Sequence, residues 1–274
     1  MLPIYPKKIS KFLEIEQNSR SLINSCNFGY KYIAPEISKR TKMVLEIGSG
    51  SCLLLALLST KHKKISFDGV DPNIEGFSIF NNIKKKLICE YKLQIHQKIN
   101  SNKLNNKKYD LIFSVDVLEH VDDIDHLFFL IKNKLSKKGK FIVICPNYDF
   151  LYEPHFNIPV IINKDLTYKI FRKKILSDEK NNLSSGLWKS LNFITIKKLK
   201  KITKKHSMNI KLKSELSVDL IMKIYNDEDF KIRKFKTWLI AYFLVNSSLI
   251  NLLKLNSIIN YLPYIHAEIT LKTK

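Results

Sequence analysis

The segment Val44-Leu45-Glu46-Ile47-Gly48-Ser49-Gly50-Ser51-Cys52 joins an apolar run to two glycines one residue apart and then to a helix-forming stretch. Glycines at such a turn let the backbone approach a ligand closely, and the helix that follows presents an electropositive N-terminus. A nucleotide-type ligand suits that pattern. Asp71 closes the next apolar run, 21 residues after Gly50, where a carboxylate can take both hydroxyls of a ribose. Taken singly, these residues would also serve a plain strand–helix turn and an exposed Asp before Pro72; their pairing favours the ligand. Asp116, Glu119 and His120 stand at i, i+3 and i+4, a spacing that converges on one metal ion if they share a helical turn. The segment from Pro146 to Phe156 holds Tyr148, Tyr152 and His155. His155 is the candidate general base for a hydroxyl acceptor, with a surface loop histidine as the alternative, and the two tyrosines are candidate pocket walls.

The elements that must position these groups can be read from hydrophobic patterning. Residues 9–40 have helical spacing, with Ile9, Phe12, Leu13, Ile15, Leu22 and Ile23 on recurring faces and Pro35 as an interruption. From Met43 onward short apolar runs alternate with turns: MVLEIGSG, ISFDGVD, LQIHQKI, YDLIFSVD and GKFIVICPN. Helical stretches separate most of them, Cys52 to Thr60, Ile74 to Tyr91 and Ile124 to Leu135. That alternation predicts a parallel sheet. VLEI, LIFSV and FIVIC are apolar at nearly every position, as strands covered by helices on both faces require. Asn147 to Lys189 reads as a loop-rich excursion with Pro154 and Pro159. Beyond it the pattern predicts a helix over 194–205, a strand over 210–220, a helical block over 230–262 and a last strand, PYIHAEITLK. In this order the glycine turn, Asp71, Asp116 and the His155 loop all follow carboxyl ends of strands, where open α/β sheets bind ligands.

A dinucleotide fingerprint wants a third Gly where Leu53 stands and has no use for an acid such as Glu46 two residues before the first Gly. The glycine segment, Asp71, Tyr109-Asp110-Leu111-Ile112, Val117-Leu118-Glu119-His120-Val121 and Leu135-Ser136-Lys137-Lys138-Gly139-Lys140-Phe141 instead resemble, in order and spacing, the successive motifs of class I S-adenosylmethionine-dependent methyltransferases. Cys52 is a departure, since the family usually carries a third Gly there. The resemblance implies an α/β, Rossmann-like three-layer sandwich with a mixed, mostly parallel seven-stranded sheet, N-terminal helices and a helical insertion near the C-terminus. It implies one domain over 1–274: an N-terminal helical lid (1–40), a cofactor-binding core (41–147) and an acceptor-side region (148–274). The cofactor would be S-adenosylmethionine. Glu46 would order the glycine loop near the cofactor's amino group, Gly48, Ser49 and Gly50 would line its methionine and ribose portions, and Asp71 would bind the ribose. Asn100 stands where the family places a polar residue against adenine, although a plain loop Asn reads equally well. Ser114, Val115 and Asp116 would border the methyl group. His155, then His120, are the catalytic candidates. No metal is assigned, because the Leu-Glu-His-Val segment is widespread in family members that need none. The Asn-Pro-Pro-Tyr or Asp-Pro-Pro-Tyr tetrapeptide of amino-directed enzymes is missing after the fourth strand. A small-molecule, sugar or lipid-linked acceptor methylated on oxygen is therefore the expectation.

Composition bounds the partners. The chain has 274 residues, 45% hydrophobic and 26% charged, with 7 Gly and 8 Pro, which is ordinary globular material. The formal net charge of +22 suggests a nucleic acid or an anionic surface. Its lysine clusters, however, are scattered along the whole length in a sequence saturated with Lys, Asn and Ile, so nucleic acid is disfavoured as a partner. Cys26, Cys52, Cys89 and Cys145 form no Cys-x-x-Cys pair and no zinc spacing, which fits a reducing compartment. No signal-peptide pattern opens the chain, and the apolar run Trp238 to Val245 stops short of the ~18 to 20 residues a membrane span needs. The expected location is the cytoplasm, at most peripheral to a membrane. The apolar block before the last strand calls for burial, with a cap over the acceptor, a dimer surface or membrane docking as alternatives, and both monomer and homodimer stay open. Two rivals remain, an NAD(P)-dependent oxidoreductase and a non-catalytic basic binding protein built on a methyltransferase fold.

Overall fold

The computed structural model describes residues 3–16, 19–72, 81–181, 185–228, 231, 235–247, 249–254 and 258–272. Strands β1 (Met43–Ile47), β2 (Ser66–Val70), β3 (Gln94–His96), β4 (Tyr109–Val115), β5 (Leu135–Pro146), β8 (Met208–Leu212) and β9 (Tyr264–Leu271) form one sheet in the order β3-β2-β1-β4-β5-β9-β8. The pairings β2–β3, β1–β2, β1–β4 and β4–β5 are parallel, and β5–β9 and β8–β9 are antiparallel. This is the mixed, mostly parallel seven-stranded sheet that the resemblance implied.

The apolar runs are explained by cover on both faces. Leu45, Ile112, Phe141 and Val143 face a core with Ile124, Phe128 and Ile131 of α5 (Ile124–Lys134) and Leu199 of α8 (Ile196–Lys205). Val44, Leu111, Phe113, Ile142 and Ile144 face the other core. There they meet Leu53 to Leu58 of α3 (Leu53–Lys61), Leu22 and Cys26 of α2 (Ser19–Ile33), and Ile9 and Leu13 of α1 (Lys7–Glu14). Every residue of α3 from Leu53 to Leu58 is buried, so it is apolar all round rather than amphipathic. Gly139 marks the turn into the body of β5: a Cβ there would lie 2.5 Å from the Tyr109 carbonyl oxygen, where the β4–β5 register shifts.

Strand β2 carries a buried carboxylate, Asp68. The Asp68 carboxylate accepts hydrogen bonds from Lys107 Nζ (3.0 and 2.8 Å) and Tyr109 OH (2.8 Å), with His96 Nε2 at 3.5 Å. Removing one partner of a buried ion strands the other. Lys107→Met is expected to lower stability by about 2 kcal/mol, less than a fully buried pair because solvent reaches the Lys107 side chain. A urea midpoint equal to that of the parent protein would show that Tyr109 and His96 satisfy Asp68 alone.

Three expectations need correction. Residues 147–189 are not chiefly loop: they contain a short hairpin, β6 (Tyr152–Glu153) with β7 (Ile158–Pro159), and the 18-residue helix α6 (Lys164–Asn181), followed by α7 (Leu187–Ser190). The strand expected over 210–220 ends at Leu212, and Glu215–Asn226 is helix α9, whose Leu216 and Ser217 are buried. The apolar block is helical in α10 (Phe235–Asn246), but it is not buried: Ile240 and Phe243 are 63% and 61% exposed. It leans on α9 through one side, with Ala241 buried and Trp238 Nε1 donating to the Tyr225 carbonyl at 3.0 Å. The helix expected over 74–91 is present as α4 (Asn81–Tyr91); residues 74–80 lie outside the described residues. Among the described residues no helix is long and apolar enough to cross a membrane.

Candidate active site

The carboxyl end of β1 turns on Gly48 (φ +77°) and Gly50 (φ +47°), and the Gly48 and Ser49 amides donate to the Val70 carbonyl at 2.7 and 3.1 Å. The two glycines serve different needs. A side chain at Gly48 would overlap Val117, with Cγ1 at 2.6 Å, so this position packs the turn against the segment after β4. A Cβ at Gly50 would meet nothing within 4 Å, so this position leaves a cradle. Cys52 is buried and also left-handed (φ +61°), a conformation that costs a side-chain-bearing residue roughly 1 to 2 kcal/mol. That is why glycine suits this position in the family.

Buried polar atoms without hydrogen-bond partners lie at the carboxyl ends of β1 and β4. Glu46 is buried and its Oε2 has no hydrogen-bond partner. Burial, reinforced by the nearby Asp71 carboxylate and opposed by a bond from Ser49, holds its carboxyl well above the usual range. The Ser114 hydroxyl at the end of β4 and Asp116 Oδ1 just beyond are likewise buried and unpaired, with Val115 half-buried between them. Native proteins leave few such groups. Together they suit a ligand carrying an ammonium and several hydrogen-bonding groups, as the amino-acid part of S-adenosylmethionine does. Asp71 follows β2, its amide bonded to the His96 carbonyl at 2.9 Å and its carboxylate paired with Lys84 of α4. Asn100 is exposed at the turn after β3, while the hydroxyl of its neighbour Ser101 is buried without a partner. Asp71→Ala is expected to weaken S-adenosylhomocysteine binding by about 2 kcal/mol, roughly 30-fold, through loss of charge-assisted bonds. Calorimetry showing unchanged affinity would remove Asp71 from the site.

The acceptor half lies beyond β4 and β5. Asp116 adopts φ +52° and its amide donates to the Ile144 carbonyl at 2.8 Å, which turns the chain into the short 3-10 helix Leu118–His120. Glu119 is fully buried and neither carboxylate oxygen has a hydrogen-bond partner. Burial first, then the Asp116 and Glu153 carboxylates, raise its pKa well above the ordinary value, and burial lifts Asp116 to about 6 against the pull of His155. His120 Nδ1 lies 2.9 Å from Ser190 Oγ, and burial lowers its pKa to about 4. The His155 ring meets the His120 ring edge-on with centroids 5.4 Å apart. Its Nδ1 is 2.6 Å from Glu153 Oε1.

Glu153 had no part in the sequence reading, yet it organises this loop. Fully buried, it accepts from the amides of His155 (3.2 Å) and Phe156 (2.7 Å) and from Tyr148 OH (3.3 Å), besides holding the His155 ring. The Glu-x-His spacing was the available cue. Lys84 and Ser101 were missed as well, since a Lys in a lysine-rich helix and a lone Ser carry no periodic signal. Tyr148 is buried against Phe193 at 4.2 Å between centroids. Tyr152 is turned toward the surface, its hydroxyl donating to Asn157 at 2.8 Å. The structure thus brings Asp116, Glu119, His120, His155 and Tyr148 together and leaves Tyr152 at the rim.

A family model described as a methyltransferase domain matches residues 22–205. Two curated relatives from Mycobacterium tuberculosis are each 29% identical over 201 residues, covering 72% of this chain and 68% of their own: uncharacterized protein MT1557 of strain CDC 1551 / Oshkosh and uncharacterized protein Rv1509 of strain ATCC 25618 / H37Rv. The plantazolicin methyltransferase BpumL in complex with SAH aligns over 97% of this chain and 90% of its own at 14% identity, with TM-score 0.50. The O-methyltransferase from a trans-AT PKS multienzyme of Brevibacillus brevis, in complex with S-adenosyl-L-homocysteine, aligns over 98% and 82% at 12% identity, also with TM-score 0.50. At such identities the likeness speaks for the fold, and the family match, which spans more than half of the chain, speaks for the kind of enzyme. This chain belongs to the methyltransferase-domain family, on the class I S-adenosylmethionine-dependent fold.

Proposed function

We propose that the protein transfers a methyl group from S-adenosylmethionine to an oxygen of a small-molecule, sugar or lipid-linked acceptor. The observation that carries this reading is the set of buried, unpartnered polar atoms at the carboxyl ends of the strands, on Glu46, Ser101, Ser114 and Asp116, beside the open cradle at Gly50. Glu46, Gly48, Ser49, Gly50 and Asp71, with Asn100 or Ser101 and then Ser114, Val115 and Asp116, hold the cofactor. Bound there, S-adenosylmethionine supplies an electrophilic methyl group.

Methyl transfer needs alignment above all, so rate comes chiefly from holding the acceptor atom in line. A hydroxyl acceptor must also lose its proton, and the pair His155 and His120, with Glu119 beside them, stands where that proton leaves. Tyr148 walls the pocket through the hydroxyl it gives to Glu153, and Tyr152 lies at its entrance. Incubation with methyl-labelled S-adenosylmethionine and a panel of hydroxyl-bearing and amine-bearing small molecules tests the reading. Label recovered on oxygen is expected; label only on nitrogen or carbon would overturn the choice of atom.

A further inference from the structure

We infer that Glu119, His120 and His155 form a site for a divalent first-row transition-metal ion. One donor atom from each of the three residues lies within 4.8 Å of the others. Two imidazoles and one carboxylate are a donor set that suits Zn²⁺ and similar ions while leaving coordination positions open. The inference rests on the oxygen-acceptor reading for its use, but not for its existence.

Two further observations point to a cation. The first is Glu119 itself, fully buried, with no hydrogen-bond partner for either oxygen and His120 Nε2 3.9 Å from Oε1. Asp116 and Glu153 add negative charge to the same pocket, and among the described residues no Lys or Arg pairs with any of the three carboxylates. Despite the net charge of +22, no lysine among the described residues pairs with this carboxylate cluster. The second observation is how the histidines are held. Histidines that bind metals characteristically engage their second ring nitrogen with a carboxylate, carbonyl or hydroxyl that fixes ring orientation and tautomer. Glu153 Oε1 does this for His155 Nδ1 at 2.6 Å, which leaves Nε2 as the nitrogen His155 can offer. Ser190 Oγ does the same for His120 Nδ1 at 2.9 Å, while His120 Nε2 faces Glu119 Oε1 at 3.9 Å. The spacing that suggested Asp116, Glu119 and His120 in the sequence is thereby revised, with His155 replacing Asp116 as the third donor. An ion held there supplies the positive charge a bound hydroxyl needs to release its proton to water at neutral pH.

The test counts metal and does not require methyl transfer. The full chain, without a polyhistidine tag, is loaded separately with Zn²⁺ and Co²⁺, gel-filtered, and assayed by plasma mass spectrometry, with visible absorption for Co²⁺. About one equivalent per chain is expected. Glu119→Gln and His155→Ala should lose the ion while keeping the S-adenosylhomocysteine affinity of the parent protein, which also shows that they fold. Ser190→Ala, which removes no ligand, should weaken Zn²⁺ binding by about 10- to 100-fold. A parent protein that retains neither ion, or variants that retain as much as the parent, would overturn the site. Failure of the oxygen-acceptor reading would leave the metal count unchanged, so the two can fail separately.

Discussion

Gly50→Val is expected to abolish S-adenosylmethionine binding in a protein that still folds. A Cβ at this position meets no protein atom within 4 Å, so the added side chain fits the protein and enters the open space assigned here to the cofactor. The left-handed φ of +47° makes the change cost stability, about 1 to 3 kcal/mol, against a binding loss too large to measure by calorimetry. Gly48→Val loses binding for a different reason. Its side chain collides with Val117 and drives apart the turn and the segment after β4, so its thermal stability should fall much further. If Gly50→Val binds the cofactor normally, the cradle has been misplaced.

Turnover should fall by ~10² to 10⁴ in His155→Ala, with cofactor affinity intact. The imidazole lies outside the glycine turn, at the acceptor half, and its orientation depends on Glu153 rather than on any cofactor-binding residue. A purely structural role for His155 forecasts something else, a drop in activity in proportion to lost folded protein. Full activity in a stably folded His155→Ala protein would move acceptor activation to His120 and Glu119.

The glycine-turn half of the candidate site was legible because its constraints are local. A strand buried on both faces has to be apolar throughout, and a turn with φ above zero asks for glycine, so Val44 to Gly50 and the β4 and β5 runs announce themselves. Helix α6 was not legible, since only Thr167 and Ile175 are buried among its 18 residues and no apolar face stands out behind Pro154 and Pro159. In residues 215–220, Leu216, Val218 and Leu220 alternate as a strand would, but the sheet has no place for them once β8 ends at Leu212, and tertiary packing makes the segment helical. Helix α10 shows the opposite error: it is strongly apolar, yet among the described residues it is covered on the α9 side and exposed at Ile240 and Phe243. The acceptor half depends on contacts between segments far apart in sequence. Ser190 against His120 and Glu153 inside the His155 loop become visible only when the chain is folded.

Calorimetric titration of the parent protein with S-adenosylmethionine, and in parallel with NADH, tests the central claim most directly. One-to-one, saturable binding of S-adenosylmethionine with no heat from NADH is the predicted result, and Gly50→Val should show neither. NADH binding without any from S-adenosylmethionine would contradict the account and assign the cradle to a nicotinamide cofactor.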